Sequence, residues 1–454
     1  MDFFIRAAQL ILSLSILVVL HEFGHYIPAK LFKTRVEKFY LFFNPWFSLF
    51  KKKIGDTEWG IGWLPLGGFV KIAGMVDESM DKEQLAQPAQ PWEFRSKPAW
   101  QRLIIMLGGV TVNLLLGIFI YGCVVFSYGE EKLAPKDLSN GLAIHPYLEQ
   151  YGLKSGDNIV AADGEKVEDI MQLAPGIMLR GTRKLDVVHA DGKNETITLP
   201  KDIDYKIFKS GAFPSTIGPR LTISAVDTVI PKGADHKITP AAEVKMQKGD
   251  LIVAVNGEKL NYFDELTTAL YHERGKKVAL TVLRKNGNQT DSVLLNPKVS
   301  AEGTLGFKMG EFNLVDDKAL KTVYYGFGMS FVKGFNTGMN TLGDYTGQLK
   351  FLFTKKGASS IGGFGSIGKM FPTTWNWQIF WLNTAFISIV LAFMNILPIP
   401  ALDGGHVVFL LYEIITGKEA PQKVLEYAQI VGFVLLLGLL LYANGNDLYS
   451  AIFK

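Results

Sequence analysis

The stretch that decides the fold is LILSLSILVVLHEFGHY, Leu10–Tyr26. An uncharged apolar run ends directly in His21-Glu22-Phe23-Gly24-His25. With the residues before it, from Ala7, the run approaches the ~20 residues of a membrane-spanning helix. A cleaved signal peptide is the rival reading. No small-residue cleavage site follows, and ionisable residues come at once, so the segment is expected to be a retained span. HExxH is a weak pattern on its own, and its setting gives it weight. On a helix, residues four apart share a face, so His21 and His25 present two imidazoles to one metal. Glu22 sits beside that face, where it can take a proton from a water held there, as in zinc proteases. Ionisable groups near bilayer depth cost on the order of a few kcal/mol and are usually functional.

Three further apolar stretches lie downstream. They are Leu103–Phe126, Ile379–Leu397 (followed by a shorter piece, Val407–Ile415) and Val424–Tyr442. The whole chain of 454 residues is 48% hydrophobic, 12% aromatic and only 20% charged. Its mean hydropathy is +0.17. That excludes a disordered chain. A single cysteine, Cys123, excludes a disulfide scaffold and a thiolate metal cluster. With 47 basic against 43 acidic residues, the charge is too balanced for a nucleic-acid binder that works by phosphate neutralisation. Eleven Lys/Arg fall between Lys30 and Lys97, and Arg6 is the only one in the first 20 residues. The positive-inside bias therefore predicts a cytoplasmic 30–97 segment. The N-terminus, the segment between spans two and three, and the C-terminus are then expected outside.

That outer segment contains a repeat. Gly156–Val167 reads GDNIVAADGEKV and Gly249–Leu260 reads GDLIVAVNGEKL, identical at 8 of 12 positions. Each is followed by Arg-Gly and an alternating tail with an Asp-Gly or Asn-Gly turn, which predicts a β-hairpin. Asp169–Leu179 and Tyr262–His272 have the length and periodicity of a short helix. The repeat string resembles PDZ domains of the bacterial kind over Gly141–Leu199 and Ile217–Phe307. Such modules bind extended peptides by strand addition.

A zinc site needs a third protein ligand. The other ionisable cluster set among apolar residues is distant in sequence: Asn395-Ile-Leu-Pro-Ile-Pro-Ala-Leu-Asp403-Gly-Gly-His406. Pro398 and Pro400 stop a helix and free its carbonyls. Irregular backbone at membrane depth is tolerated only inside protein or beside a water-filled cavity. Asp403 is then expected to open a new helix, where it caps or binds metal. His406, one turn on, is the rival ligand, and chemistry alone leaves the choice open.

HEFGH in a first span, NILPIPALDGGH in a later one and two PDZ-like modules between spans two and three resemble the site-2 proteases. These are intramembrane zinc metalloproteases, and the resemblance is strongest to their bacterial regulator-of-sigma-E branch. It covers essentially the whole chain. It implies Zn2+ held by His21, His25 and Asp403, with Glu22 as the catalytic glutamate. It also implies that Asn395 helps hold the substrate. The glycine-rich Gly60–Val70 segment would be a membrane-reentrant β-hairpin, with Gly60, Ile61 and Gly62 pairing the unwound substrate. Asn113 in the second span is read as helix-packing glue in preference to the alternative, support of the metal site. The chain departs from relatives at Ser360–Lys369, SIGGFGSIGK, and at the LGGVTVN of the second span; both lack a proline common in the family.

The expected fold is therefore a multi-pass α-helical membrane protein. It has four transmembrane helices, a reentrant β-hairpin and two α+β PDZ domains. Residues 1–128 carry the first two spans, 129–212 and 213–312 the PDZ modules, 313–372 an amphipathic segment on the membrane surface, and 373–454 the last two spans. By resemblance the activity is cleavage of single-pass membrane proteins, anti-sigma factors and signal-peptide remnants, after an upstream site-1 protease has trimmed them. The PDZ pair gates access. The implied partners are those peptides and membrane lipid, without nucleic acid, in a bacterial inner membrane. Two other classes compete: a PDZ-bearing adaptor with a dead metal site, and a transporter, since broken helices and carboxylates at midplane also mark ion pathways.

Overall fold

The computed structural model describes residues 2–453 apart from 66, 76–86, 213–214, 234–236, 288, 353, 355–356 and 358–360. The chain divides into two compact units, Met1–Gly129 with Tyr324–Lys454, and Glu130–Val323.

The first unit is helical. Asp2–Leu31 (α1) contains the whole HExxH segment, and Ala99–Tyr128 (α2) starts after Pro98. Pro98 stands in extended conformation (ψ 149°), and α2 ends at Gly129, φ 75°, whose N–H returns to Val125 O. Phe327–Leu352 (α3), Trp377–Ile396 (α4), Asp403–Thr416 (α5) and Gln422–Phe453 (α6) follow. Four helices, α1, α2, α4 and α6, are long and apolar enough to cross a membrane. Helix α2 is the hub and packs against α1, α3, α4 and α5. A core of Ala29, Ile105, Met106, Val407 and Leu410 joins α1, α2 and α5. It also takes in Val36 and Ile72 of a small sheet.

That sheet corrects one expectation. Its strands are Val36–Leu41 (β1), Phe43–Ile54 (β2), Thr57–Leu64 (β3) and Phe69–Ile72 (β4), in the order β2-β3-β1-β4. Gly60–Val70 was expected to be a hairpin. Instead β1 lies between its two strands, parallel to β3 and antiparallel to β4. The hairpin of this sheet is β2–β3, closed at Gly55-Asp56. Leu66, inside the expected hairpin, lies outside the described residues.

The expected amphipathic segment contains helix α3, Phe327–Leu352. Helix α3 does not stand apart: it packs along α2, with Phe331 against Phe119 and Phe327 against Phe126. Gly334 makes this possible. A Cβ there would meet the Gly122 backbone nitrogen at 2.4 Å. Small residues let helix backbones approach where apolar burial gives no preference. Ser360, at the start of the SIGGFGSIGK stretch, lies outside the described residues.

The second unit is closed at its base by Glu130–Leu133 (β5) pairing antiparallel with Leu320–Val323 (β18). The unit thus extends to Val323, beyond the expected boundary at 312. Leu142–Ile144 (β6) pairs with Ile217–Pro219 (β11), so the first module also runs past 212. Its sheet holds Asn158–Ala162 (β7), Glu165–Lys166 (β8), Lys184–Val188 (β9) and Asn194–Thr198 (β10), in the order β10-β9-β7-β8. In the second module, Val226–Val229 (β12) pairs with Phe307–Met309 (β17). Its sheet holds Leu251–Val255 (β13), Glu258–Lys259 (β14), Leu280–Asn286 (β15) and Gln289–Leu295 (β16), in the order β14-β13-β15-β16.

The repeat strings occupy matching places. Both place a bulge at the same point, Ile159/Ala161 and Ile252/Ala254. Both turn through a residue with positive φ, Asp163 at 49° and Asn256 at 50°, followed by glycine. The expected helices diverge. Phe263–His272 is one α-helix, whereas Ile170–Arg180 is broken into three short turns around Pro175. Proline removes one N–H and clashes with the preceding turn.

Candidate metal centre

The HExxH segment lies in the C-terminal half of α1 and faces α2 at very close range. Gly24 and Gly108 meet backbone to backbone: a Cβ on Gly24 would lie 2.4 Å from Gly108 O. A Cβ on Gly109 would lie 2.4 Å from His25 Nε2 and 2.6 Å from His21 Cε1. Three glycines thus seat both imidazoles against α2. Sequence reading passed over them. The available signal was a glycine inside HExxH together with an adjacent Gly-Gly pair in the next apolar helix.

His21 and His25 face each other with their Nε2 atoms 3.3 Å apart. The other nitrogen of each ring is held from α2. His25 Nδ1 lies 2.8 Å from Ile105 O, and His21 Nδ1 lies 3.2 Å from the Asn113 side-chain amide.

The third group comes from the break between α4 and α5. Helix α4 ends at Ile396, and Leu397 precedes Pro398. Ala401 has φ 75°, a conformation that costs a residue with a Cβ. Its N–H donates to Gln429 Oε1 of α6, at 3.2 Å. The return is tight enough to require the Gly-Gly after Asp403, because a Cβ on Gly404 would lie 2.2 Å from Leu397 O. Asp403 does open α5, but it is not the cap: Leu402 is, in extended conformation and without a side-chain cap. The Asp403 carboxylate points instead at the histidines, with Oδ2 3.3 Å from His21 Nε2 and 3.5 Å from His25 Nε2.

Among the described residues, His21, His25 and Asp403 form the one group of at least three His, Cys, Asp or Glu donors that could hold a metal ion, with all donor atoms within 4.8 Å. The set fits zinc on two grounds. Two imidazole nitrogens and one carboxylate oxygen are a catalytic zinc donor set with a position to spare. Asp403 Oδ2 is also buried at ion-pair distance from both rings without a hydrogen bond of its own. A buried carboxylate oxygen left so is expensive unless a cation completes it. His406 lines the same cavity but does not join the donor group.

The cavity measures about 430 Å³. Glu22, 9% exposed, sits in its wall beside both histidines. Gly68, Phe69, Val70, Lys71 and Ile72 form another wall, which is β4 and its approach. Asn395, at the end of α4, brings its amide nitrogen within 3.4 Å of His21 Nε2. Gly60, Ile61 and Gly62 are placed otherwise. They lie inside the sheet, with Gly60 opposite both Tyr40 and Lys51, and Ile61 opposite both Leu41 and Phe50. Gly60 and Ile61 thus face a neighbouring strand on each side, and Gly62 pairs with Ser48 of β2. Among the described residues, the strand that ends the sheet at the cavity is β4, and its Val70 N–H reaches the Glu22 carboxylate.

Comparison with known proteins agrees with this chemistry. The model of peptidase family M50 matches residues 9–439. A protein of Xylella fastidiosa, provisionally named a zinc metalloprotease, is 30% identical over 462 aligned residues, 98% of this chain and 99% of that protein. The regulator of sigma E protease of Haemophilus influenzae is 26% identical over 467, again 98% and 99%. A provisionally named zinc metalloprotease of Chlamydia trachomatis is 39% identical over 167 residues, 36% of this chain and 26% of that one. This chain belongs to peptidase family M50, the site-2 protease family, and is a zinc-dependent metalloprotease.

Proposed function

We propose that the protein hydrolyses peptide bonds within or next to the membrane-spanning segment of single-pass membrane proteins. One observation carries this reading. The donor set His21, His25 and Asp403 shares one cavity with Glu22 and with β4, the end strand of its sheet among the described residues, and α1, which holds Glu22 and both histidines, is a membrane-length helix.

In this reading His21, His25 and Asp403 hold the zinc, which when bound supplies Lewis-acid polarisation of a carbonyl and lowers the pKa of a water. Glu22 takes a proton from the attacking water and returns it to the leaving nitrogen. The Asn395 amide, beside His21, holds the substrate backbone near the donors. A helical substrate cannot present its carbonyls, since each is engaged in its own ladder. It must unwind, and the freed amide groups need new partners in a site with little water. The edge of β4 would supply them by strand addition. This assigns to Phe69–Ile72 the role that resemblance gave to Gly60–Gly62.

The two repeat modules are read as PDZ domains that restrict access to substrates already trimmed outside by another protease. The name of the Haemophilus influenzae relative supports membrane-spanning anti-sigma factors as substrates. Signal-peptide remnants are a second class of the same shape. The lysine-rich 30–97 segment supports a bacterial inner-membrane protein with the N-terminus, both modules and the C-terminus outside.

The test uses purified protein and a single-pass reporter lacking its outer domain. Cleavage must stop in Glu22→Gln and after chelation, and return when zinc is added back. An inactive adaptor would show no cleavage and no stoichiometric zinc. For the strand, single cysteines at Lys71 and at Ile61, in a Cys123→Ser background, are paired with cysteines along the reporter. Cross-linking at Lys71 and not at Ile61 is expected; the reverse would return the substrate to β3.

A further inference from the structure

A histidine that binds zinc through Nε2 must keep its proton on Nδ1. For His25 the structure meets that need without ambiguity. Its Nδ1 faces Ile105 O, and a backbone carbonyl can only accept. His21 has no such carbonyl. Its Nδ1 faces the amide of Asn113, a residue 1% exposed.

The Asn113 amide nitrogen points at Nδ1, and its oxygen is buried with no hydrogen-bond partner. A half-turn of the amide exchanges the two ends. Each orientation fixes a tautomer of His21. With nitrogen toward Nδ1, the ring proton must sit on Nε2, and Nε2 cannot be a ligand. With oxygen toward Nδ1, the proton sits on Nδ1 and the Nε2 lone pair faces Asp403 and His25.

We propose that Asn113 is the positioning residue of His21: its side-chain oxygen accepts the Nδ1 proton and so presents Nε2 to zinc. The inference rests on His21 being a ligand. One contact holds the Asn113 backbone in place for it. Ser388 Oγ of α4 donates to Asn113 O at 2.7 Å. Gly109, one turn earlier on α2, lies flat against both imidazoles. A role as helix-packing glue would need a side-chain partner on a neighbouring helix other than the ligand. Among the described residues the one hydrogen bond of this side chain goes to His21.

The experiment measures zinc affinity of the full-length protein in detergent by competition with a chromogenic chelator. Melting in excess chelator is measured alongside. Asn113→Ala is expected to weaken zinc binding by about 10–100-fold, the usual loss when an outer partner of a ligand is removed. Asn113→Asp keeps an acceptor and is expected to restore affinity to within a few-fold of wild type. Equal losses in Asn113→Ala and Asn113→Asp, tracking a lower melting temperature in chelator, would assign a packing role and overturn the proposal. So would wild-type affinity in Asn113→Ala. His21→Ala and His25→Ala separate the layers. If both retain zinc, the ligand set itself fails; if both lose it while Asn113→Ala does not, only the positioning role fails.

Discussion

The two units bury carboxylates in opposite ways. In the Glu130–Val323 unit, Asp250 is fully buried and fully satisfied. It accepts from Gln247 N at 2.8 Å and from Arg284 Nε and Nη2, each at 2.7 Å. In the helical unit, Asp403 Oδ2 is buried between two imidazoles and has no hydrogen bond. The first pattern closes a turn and needs nothing else. The second is incomplete without a cation. The difference teaches that burial of charge does not by itself mark a site; a buried charge whose partners stop short of satisfying it does.

The sharpest way to break this contrast is to remove each charge. Asp403→Asn is expected to abolish zinc binding and cut cleavage by at least about a thousandfold, as Glu22→Gln should with zinc retained. Neither is expected to impair folding. Metal analysis and reporter cleavage on the purified variants check this. Normal zinc content in Asp403→Asn would remove Asp403 from the donor set. Asp250→Ala should act the other way round. Stranding Arg284 is expected to cost about 3 kcal/mol in the stability of its unit, with zinc unchanged. Hydrogen exchange in β13 and β15 of the full-length protein reads the first, and metal analysis the second.

Much of the metal centre was legible in the sequence because it is written in residues chemistry cannot replace. His21, Glu22, His25 and Asp403 are few, ionisable and set among apolar neighbours. The four long helices were legible for the same reason, since length and composition suffice. What was not legible is closeness. Gly24, Gly108, Gly109 and Gly404 have no side chain to advertise a role, yet each stands where a Cβ would collide with backbone or ligand. Strand order was equally hidden. Gly60–Val70 has the composition of a hairpin, but pairing with β1 depends on a segment about twenty residues earlier. The packing of helix α3 along α2 was not legible either, because apolar spacing says that a face is covered without saying by what.

The glycines allow a test of smaller size. Gly109→Ala must displace an imidazole, since His25 Nε2 and His21 Cε1 are both within 2.6 Å of the new carbon. A loss of zinc affinity of about tenfold or more is expected. Gly438→Ala on α6 is the control, because nothing lies within 4 Å of its Cβ. Equal affinity in the two variants would show that α1 and α2 adjust freely. The helix contact would then not be what seats the ligands.

The smallest effect lies within the Glu130–Val323 unit, between the modules themselves. Asp157 is the counterpart of Asp250, and the sheet registers Asn158↔Val188 and Leu251↔Leu283 place His189 where the second module has Arg284. His189 Nδ1 lies 3.1 Å from Asp157, and its Nε2 3.2 Å from Glu195. The hydrogen bond to Asp157 holds the His189 pKa above its ordinary value of 6.5, and Glu195 adds to the shift. A folded-state pKa above the unfolded one gives stability that is complete below pH 6.5 and is lost as pH rises through the folded value. The first module should therefore loosen from mildly acidic to alkaline pH, by about 1 kcal/mol for a partly exposed histidine beside the buried Asp157. The second should not, because Arg284 keeps its charge throughout. Protection factors for β9 and β15, measured in the full-length protein from pH 6 to 9, compare the two directly. His189→Arg should flatten the first profile onto the second. If β9 protection is already independent of pH, the histidine is not carrying the charge of the pair, and the two modules are equivalent in chemistry as well as in fold.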